Sequence, residues 1–490
     1  MKDSFFSRVN VLKMKGAPPR QLEGICYDSR QARPGYAFVA LRGTKSDGHD
    51  FVEEAMARGA STVVVEKEPP GPIPEGVTMV TVTDSRGALA RLAEYYYDKP
   101  SRKLRLIGVT GTNGKTTVTY ILASIIAAAG GRSGRIGTVD YDIMGQSRPS
   151  SNTTPESADL QKMMKEIVDL GGQYCMLEVS SHALDQRRVE RLRFHEAIFT
   201  NLTQDHMDYH GDMNTYFSAK ALLFTRHSPQ VAIINTDDPW GQKLLPMIQG
   251  KKVTYGMEGK ADVRAREVAM TISGLKMKLV TPQGEVAIKS GMVGRHNVYN
   301  ILASAAAALA DGISLGHIAE GVEKCQGAPG RFEKVDRGQP FTVVVDYAHT
   351  EDAIKNILAA AREVGPKRII TMFGCGGDRD KIKRPLMGRA AWNNSDMVIV
   401  TSDNPRTEDP NAIIGDILKG IPEAGREEKL AVMPDRAEAI KAAVSLAQPG
   451  DMVILAGKGH EDYQIIGMEK THFDDREQAG RVLEEIYGKV

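Results

Sequence analysis

Gly108-Val109-Thr110-Gly111-Thr112-Asn113-Gly114-Lys115-Thr116-Thr117 stands between two apolar runs. Ahead of it, Leu104-Arg105-Leu106-Ile107-Gly108-Val109 reads as a buried strand. Behind it, Ile121, Leu122, Ile125 and Ile126 recur at helical spacing, so a helix is expected to open at Lys115. Glycines allow a tight turn that aims successive N–H groups at one point, and a helix N-terminus adds partial positive charge. Lys115 adds a full charge, and the Thr116 hydroxyl suits Mg²⁺. Strand, glycine turn, lysine, paired threonines and helix in this order point to a bound nucleoside triphosphate. The common spacing of such a loop puts glycine at 109, where this chain has Val109; the nearest glycine is Gly108. The plainer alternative is a glycine-rich turn that holds no ligand.

Around this loop, 490 residues suggest three domains at about 150 residues each. Sixty-three basic against 62 acidic residues leave a net charge of +1, which argues against a nucleic-acid partner. Cys26, Cys175, Cys325 and Cys375 are dispersed and form no CxxC pair. That pattern disfavours a zinc site or a disulfide framework and suits a reducing cytoplasm. Cys175, inside Tyr174-Cys175-Met176-Leu177, reads as core. The opening MKDSFFSRVNVLKMKG has no apolar stretch long enough for a signal peptide, and no segment approaches a membrane span of about 18 apolar residues. A cytoplasmic chain without membrane insertion is expected, with a monomer as its state.

Short strands separated by turn residues fill the first hundred positions: Tyr36 to Leu41, Thr62 to Val65 and Val77 to Val82, then a helix from Gly87 to Tyr97. Lys99-Pro100-Ser101 marks a first boundary and Gly327-Ala328-Pro329-Gly330-Arg331 a second. The expected domains are therefore 1–100, 101–330 and 331–490. Between the boundaries, Cys175 to Val179, Ala197 to Thr200 and Val231 to Asn235 are continuous apolar strands of a mainly parallel sheet, and an alanine-rich helix spans Asn297 to Ala310. Beyond 331, four more strands alternate with helices: Thr342 to Val345, Arg368 to Phe373, Met397 to Val400 and Met452 to Leu455. This pattern is α/β throughout, with a doubly wound, Rossmann-like C-terminal domain. Ligands bind such sheets at the carboxyl ends of the strands, and all four strands there end in small, charged or polar residues.

Together with the loop, seven segments give the chain a resemblance to a known family. They are Asn152-Thr153-Thr154-Pro155, Glu178 to His182, Asp205 to His210, Gly294 to Asn297, Asp346 to His349, Asp403 to Arg406 and Gly457 to Glu461. The chain resembles the Mur ligases, the ATP-dependent amino-acid ligases of peptidoglycan synthesis, and the non-standard loop spacing is that family's form. Asp28-Ser29-Arg30 and Gly43 to His49 extend the match into the first hundred residues. The resemblance implies an N-terminal domain for the UDP end of a nucleotide substrate, a central ATP domain and a C-terminal domain for the incoming amino acid. It implies transfer of the γ-phosphoryl group to a carboxylate, giving an acyl phosphate that an amine then attacks.

Residue by residue, the resemblance places ATP on Gly111, Thr112, Asn113, Gly114, Lys115, Thr116 and Thr117, with further contacts at Asn297, Arg331 and Asp346. Lys115, Glu178, His206 and Lys220 carry the catalytic roles. Thr116, Glu178, His206 and Lys220 surround Mg²⁺, with Lys220 as a carbamate; forming one needs a neutral amine, so its site should depress the lysine pKa. Read alone, Lys220 is a helical surface lysine, Glu178 a strand terminus and His206 a structural histidine. Ser29, Thr153, Thr154, Ser180, Gln186 and Arg188 are implied contacts of UDP-N-acetylmuramoyl-L-alanyl-D-glutamate. By itself, Thr153-Thr154-Pro155-Glu156 reads as a helix N-cap with proline in the first turn.

Arg379, Asp403, Asn404, Pro405, Arg406, Gly457 and Glu461 are implied contacts of the amino acid. Pro405 fixes a turn, Asp403 can accept from an ammonium, and Arg406 can pair with a carboxylate. An amino–carboxyl group at the far end of the substrate meets both demands, which selects meso-diaminopimelate over L-lysine. The alternatives are the lysine-adding counterpart, a folylpolyglutamate synthase-like ligase, and a P-loop binding module that forms no bond.

Overall fold

The computed structural model describes residues 6, 9–17, 19, 21–43 and 46–488. Thr44 and Lys45 of the Gly43–His49 segment, and residues 1–5, 7 and 8 of the opening stretch, lie outside the described residues. The described chain divides into two units: Met1–Asp262 with Ala303–His317, and Val263–Leu302 with Ile318–Val490.

In the first unit, β1 (Val11–Lys15), β2 (Gly24–Cys26), β3 (Tyr36–Val39), β4 (Thr62–Val65) and β5 (Thr78–Val82) form a sheet in the order β1-β5-β4-β3-β2. Only β1 runs antiparallel to its neighbour. Successive residues take opposite faces, so Val39, Val64 and Val80 pack with Leu89 and Leu92 of helix Ser85–Tyr96. Phe38, Val63 and Met79 pack on the other face with Val52 and Ala55. Asp84 caps helix Ser85–Tyr96 by accepting from the Gly87 N–H, so the helix starts two residues before the glycine.

The same unit holds a second sheet of β6 (Arg105–Thr110), β7 (Ser133–Ile136), β8 (Asp140–Ile143), β9 (Gln146–Pro149), β10 (Tyr174–Glu178), β11 (Glu196–Phe199), β12 (Val231–Asn235) and β13 (Lys251–Gly256). Their order is β13-β12-β11-β6-β10-β7-β8-β9. From β13 to β7 every pairing is parallel, and β7, β8 and β9 finish as an antiparallel edge. Helices cover the parallel strands, which is why Leu106, Ile107, Met176, Leu177, Ile198 and Ile233 are all buried. Cys175 lies in that core. β6 is central, flanked by β10 and β11, so the segments following these three strands emerge along one sheet edge.

In the second unit, β14 (Val263–Thr271), β15 (Gly274–Thr281) and β16 (Gly284–Ser290) form an antiparallel meander. A further sheet contains β17 (Glu333–Val335), β18 (Thr342–Asp346), β19 (Ile369–Phe373), β20 (Met397–Val400), β21 (Leu430–Val432) and β22 (Met452–Ala456), ordered β17-β18-β22-β19-β20-β21. Five of these are parallel, with β17 antiparallel at one edge. β18, β19, β20 and β22 therefore present their polar termini to a common edge, and the antiparallel hairpin of β23 (Tyr463–Ile466) and β24 (Glu469–His472) follows β22 in the chain.

One local reading needs correcting. The helix after Thr153-Thr154-Pro155 covers Ser157–Asp169 and its N-cap is Glu156, which makes no side-chain capping bond. Thr154 instead turns its hydroxyl to the Glu178 carbonyl at 2.8 Å. Proline therefore lies before the helix, because a buried carbonyl at the end of β10 claims the hydroxyl that would otherwise cap it.

Candidate active site

Gly111 and Gly114 shape the loop after β6, with φ of +148° and +88°. A Cβ on Gly111 would sit 1.9 Å from the Thr200 hydroxyl, so the segment after β11 approaches too closely for any side chain there. Gly108 has a different use: it lies within β6, where a Cβ would meet the Phe194 ring at 2.6 Å. It is a packing glycine, and the loop needs none at 109. Helix Lys115–Ala128 starts directly after Gly114. The Lys115 ammonium donates to the carbonyls of Gly111 at 3.0 Å and Thr112 at 2.8 Å, folding back over its own loop. Asn201 binds the Asn113 N–H at 2.9 Å, tying the turn to the segment after β11.

Thr116 and Glu178 are buried side by side, the hydroxyl donating to Glu178 Oε2 at 3.1 Å. Thr138 completes the set, giving its N–H to Oε1 at 3.0 Å and its hydroxyl to Oε2 at 2.9 Å. Gly137 is the reason the carboxylate fits, since a Cβ there would lie 2.2 Å from Glu178 Oε1. Thr153 meets the Thr138 hydroxyl at 3.1 Å. Hard oxygen donors of this kind, one carboxylate with hydroxyls, suit magnesium.

Lys220 comes from helix Met213–Thr225 and is 1% exposed. Its Nζ donates to the Gly111 carbonyl at 2.8 Å and lies 4.6 Å from the centre of the Tyr216 ring. Burial, then the charge of Lys115, push its pKa well down, which favours the neutral amine. The surface-lysine alternative does not hold. His206 sits at the N-terminus of helix Met207–His210 with φ +55°, 3.5 Å from Asp205 Oδ2. Burial depresses its pKa, with Lys115 and Lys220 adding to that effect, so a neutral ring nitrogen is available. His182, which the sequence did not single out, stacks edge-on to His206 with ring centres 4.7 Å apart. Burial and its neighbour His206 bring it down to about 4.

Thr154, Ser180, Gln186 and Arg188 form one hydrogen-bonded group at the same edge. Thr154 Oγ1 accepts from the Ser180 N–H at 3.0 Å, and Arg188 donates to the Thr154 carbonyl at 2.9 Å and to Gln186 Oε1 at 2.8 Å. Glu156 pairs with both Arg188 and Arg86 at 3.1 Å, so Arg188 is held by a carboxylate already present. Ser29 lies apart from this group; it is buried in the first sheet's loop and donates to Glu54 at 2.8 Å.

In the second unit, Asp403-Asn404-Pro405-Arg406 follows β20, and Gly457 to Glu461 follows β22. Lys458 joins them, and sequence reasoning missed it. Wholly buried, it donates to Asn404 Oδ1 at 3.1 Å and the Tyr463 carbonyl at 2.6 Å, with Asp403 Oδ1 at 3.1 Å and Glu461 Oε2 at 3.7 Å. Asn404 donates in turn to Glu461 at 2.8 Å. Although burial pushes Asp403 up, Lys458 and Arg436 outweigh it and hold the carboxyl below its usual value. Burial and then Asp403 push Glu461 up. Gly457 has φ +112°, which keeps it close to Asp403. Arg406, at φ +52°, spends one nitrogen on the Gly377 carbonyl at 2.8 Å and forms no ion pair among the described residues. Arg379 is exposed and donates to the Asp378 carbonyl at 3.1 Å.

Asn297, Arg331 and Asp346 belong to this unit too. Asn297 donates to the Val293 carbonyl at 2.8 Å and accepts from Asn300 at 3.0 Å. Arg331 lies over the Tyr347 ring, 4.7 Å from its centre. Asp346 accepts from the backbone of Phe332 at 2.7 Å and Ala348 at 2.8 Å, and burial raises its pKa despite Arg331.

Comparison with known proteins accounts for these features together. The Mur ligase middle domain matches residues 109–308, the Mur ligase glutamate ligase domain 330–459, and the Mur ligase family catalytic domain 21–97. The chain belongs to the Mur ligase family. Among Mur ligases it is 46% identical to a UDP-N-acetylmuramoyl-L-alanyl-D-glutamate–2,6-diaminopimelate ligase of Geobacter metallireducens, over 98% of both chains. A ligase of the same name from Geobacillus kaustophilus is 48% identical over 94% of both. A solved structure of an enzyme so named superposes with a TM-score of 0.70 at 34% identity, covering 99% of this chain and 100% of the other. Like other Mur ligases, the chain is an ATP-dependent acid–amino-acid ligase.

Proposed function

We propose that the chain joins meso-diaminopimelate to UDP-N-acetylmuramoyl-L-alanyl-D-glutamate at the expense of ATP, as a step of peptidoglycan synthesis. The names of its relatives support this reading, and one observation carries it: buried Lys220 and Lys115 both donate to the Gly111 carbonyl of the phosphate loop, with Thr116 and Glu178 adjoining. Such a cluster serves a reaction in which two anions, a carboxylate and a triphosphate, must meet.

In this reading the N–H groups of Gly111 to Thr117 cradle the phosphates, and Lys115 leaves its loop carbonyls for the phosphate oxygens. A carboxylate oxygen of the dipeptide attacks the γ-phosphorus, and ADP departs with its former bridging oxygen. The amine then attacks the acyl carbon of the acyl phosphate, loses a proton and expels inorganic phosphate. Thr116, Glu178, His206 and carbamylated Lys220 would hold magnesium, which supplies charge neutralisation. Thr153, Thr154, Ser180, Gln186, Arg188 and, in its own domain, Ser29 bind the UDP-substrate. Asn297, Arg331 and Asp346 complete ATP binding.

Asp403, Asn404, Arg406, Arg379, Gly457 and Glu461 receive the amino acid. Arg406, a guanidinium without an ion-pair partner among the described residues, supports diaminopimelate over lysine, whose far end brings no carboxylate. Three domains, 1–100, 101–330 and 331–490, monomeric state and a cytoplasmic location belong to the same reading. Among the described residues no helix is long and apolar enough to cross a membrane, and all four cysteines are free thiols. Steady-state turnover of Arg406→Lys with each amino acid tests the specificity: KM for diaminopimelate should rise at least tenfold with that for lysine little changed. An unchanged diaminopimelate KM would refute the role of Arg406.

A further inference from the structure

At the amino ends of β6, β10 and β11, the sheet edge opposite the phosphate loop, Glu196 is wholly buried. Among the described residues, neither of its carboxylate oxygens has a hydrogen-bond partner. Buried polar groups are nearly always satisfied, so an orphaned buried carboxyl calls for an explanation. Its neighbours supply a reason. Ligand atoms of His195, Glu196 and Asp311 all lie within 4.8 Å of one another. His195 Nε2 is 3.1 Å from Asp311 Oδ1, Tyr174 donates to Asp311 Oδ2 at 2.5 Å, and the Arg105 guanidinium pairs with the same carboxylate. A cavity of about 620 Å³ adjoins the cluster, bordered by Arg105, Tyr174, Arg193, His195 and Gln230.

We propose that His195, Glu196 and Asp311 form a binding site for a divalent transition-metal ion of the zinc class, separate from the nucleotide site. One imidazole and two carboxylates make a borderline donor set that suits zinc, and the cavity supplies water for the fourth position. A divalent ion would give the Glu196 oxygens the partner they lack among the described residues. Arg105 is about half exposed (48%) and would give up its pairing with Asp311 as the ion enters. Tyr174 then continues to orient Asp311 through its second oxygen. Zinc bonds of about 2.1 Å place neighbouring donors roughly 3.4 Å apart, so loading draws the three groups inward by about an ångström.

Zinc titrated into chelator-stripped protein without nucleotide, read by competition with a chromophoric indicator, decides the matter. Wild type, Glu196→Gln and His195→Ala are compared, because zinc bound at the phosphate-loop site would be common to all three. Wild type should take up one zinc equivalent more than either variant, about tenfold more tightly than any shared site. Zinc should also raise the wild-type Tm by several degrees more than that of either variant. His195 is part-exposed, so its alanine variant keeps the test sound even where Glu196→Gln fails to fold. Equal uptake by the three proteins, or no uptake by the wild type, overturns the site.

Discussion

Lys220 and Lys458 are both fully buried lysines, yet their surroundings set opposite chemistry. Lys220 meets a carbonyl, an aromatic face and the charge of Lys115, with no carboxylate bonded to it among the described residues, so burial drives it toward the neutral amine. A neutral amine can be carbamylated, and the resulting anion is the species proposed beside Glu178. Lys220→Ala should lower turnover at least a hundredfold, with short carboxylates such as acetate restoring part of it; intact folding without rescue would count against the carbamate. Lys458, by contrast, sits among Asp403, Asn404 and Glu461. Replacing it with methionine would leave two carboxyls facing each other in a buried site. Lys458→Met should cost about 3 kcal/mol in urea unfolding and raise KM for the amino acid more than it lowers kcat. Read alone, Lys220 looks like helix surface, and only the family resemblance assigns it the carbamate; Lys458, hidden between glycines, was not singled out at all. Burial and partners, which decide both, are set by residues far away along the chain.

At the scale of elements, the apolar strands were legible because a parallel sheet buried on both faces spells itself as continuous hydrophobic runs. Val231–Asn235 and Met397–Val400 match the sequence reading at both ends. The meander β14–β16 and the hairpin β23–β24 escaped it, since their strands carry alternating or wholly exposed polar residues such as Glu469-Lys470-Thr471-His472. The turn after β6 is read more sharply in three dimensions: Gly108 packs against Phe194, while Gly111 is required by both its φ and Thr200. Gly111→Ala should therefore abolish ATP turnover and lower stability by about 1–3 kcal/mol, whereas a wild-type-like Tm would show that the loop yields. The histidine group beside that edge sets a pH response. His182 titrates at about 4 in the folded chain against an ordinary value of 6.5. A lowered folded pKa means the unfolded chain binds more protons between those values, so stability is full above pH 6.5 and falls as pH drops toward 4. His182→Gln should lose less Tm between pH 7 and 5 than wild type does; equal losses would remove His182 from the account.

Across the whole molecule, the proposed reaction draws on the phosphate-loop cluster of one unit and the Asp403–Arg406 turn of the other. Neither set alone forms a peptide bond, so phosphate release should need ATP, the UDP-dipeptide and the amino acid together. That division was visible in the sequence as motifs following strand ends. The reason each group takes its protonation state was not, because it depends on burial by both sheets. Phosphate release from Mg-ATP with UDP-N-acetylmuramoyl-L-alanyl-D-glutamate, compared between meso-diaminopimelate and L-lysine, tests the central claim most directly. Strong release with diaminopimelate and little with lysine is the expected result. Equal release with lysine would contradict the reading of Arg406, and none with either would contradict the proposed reaction.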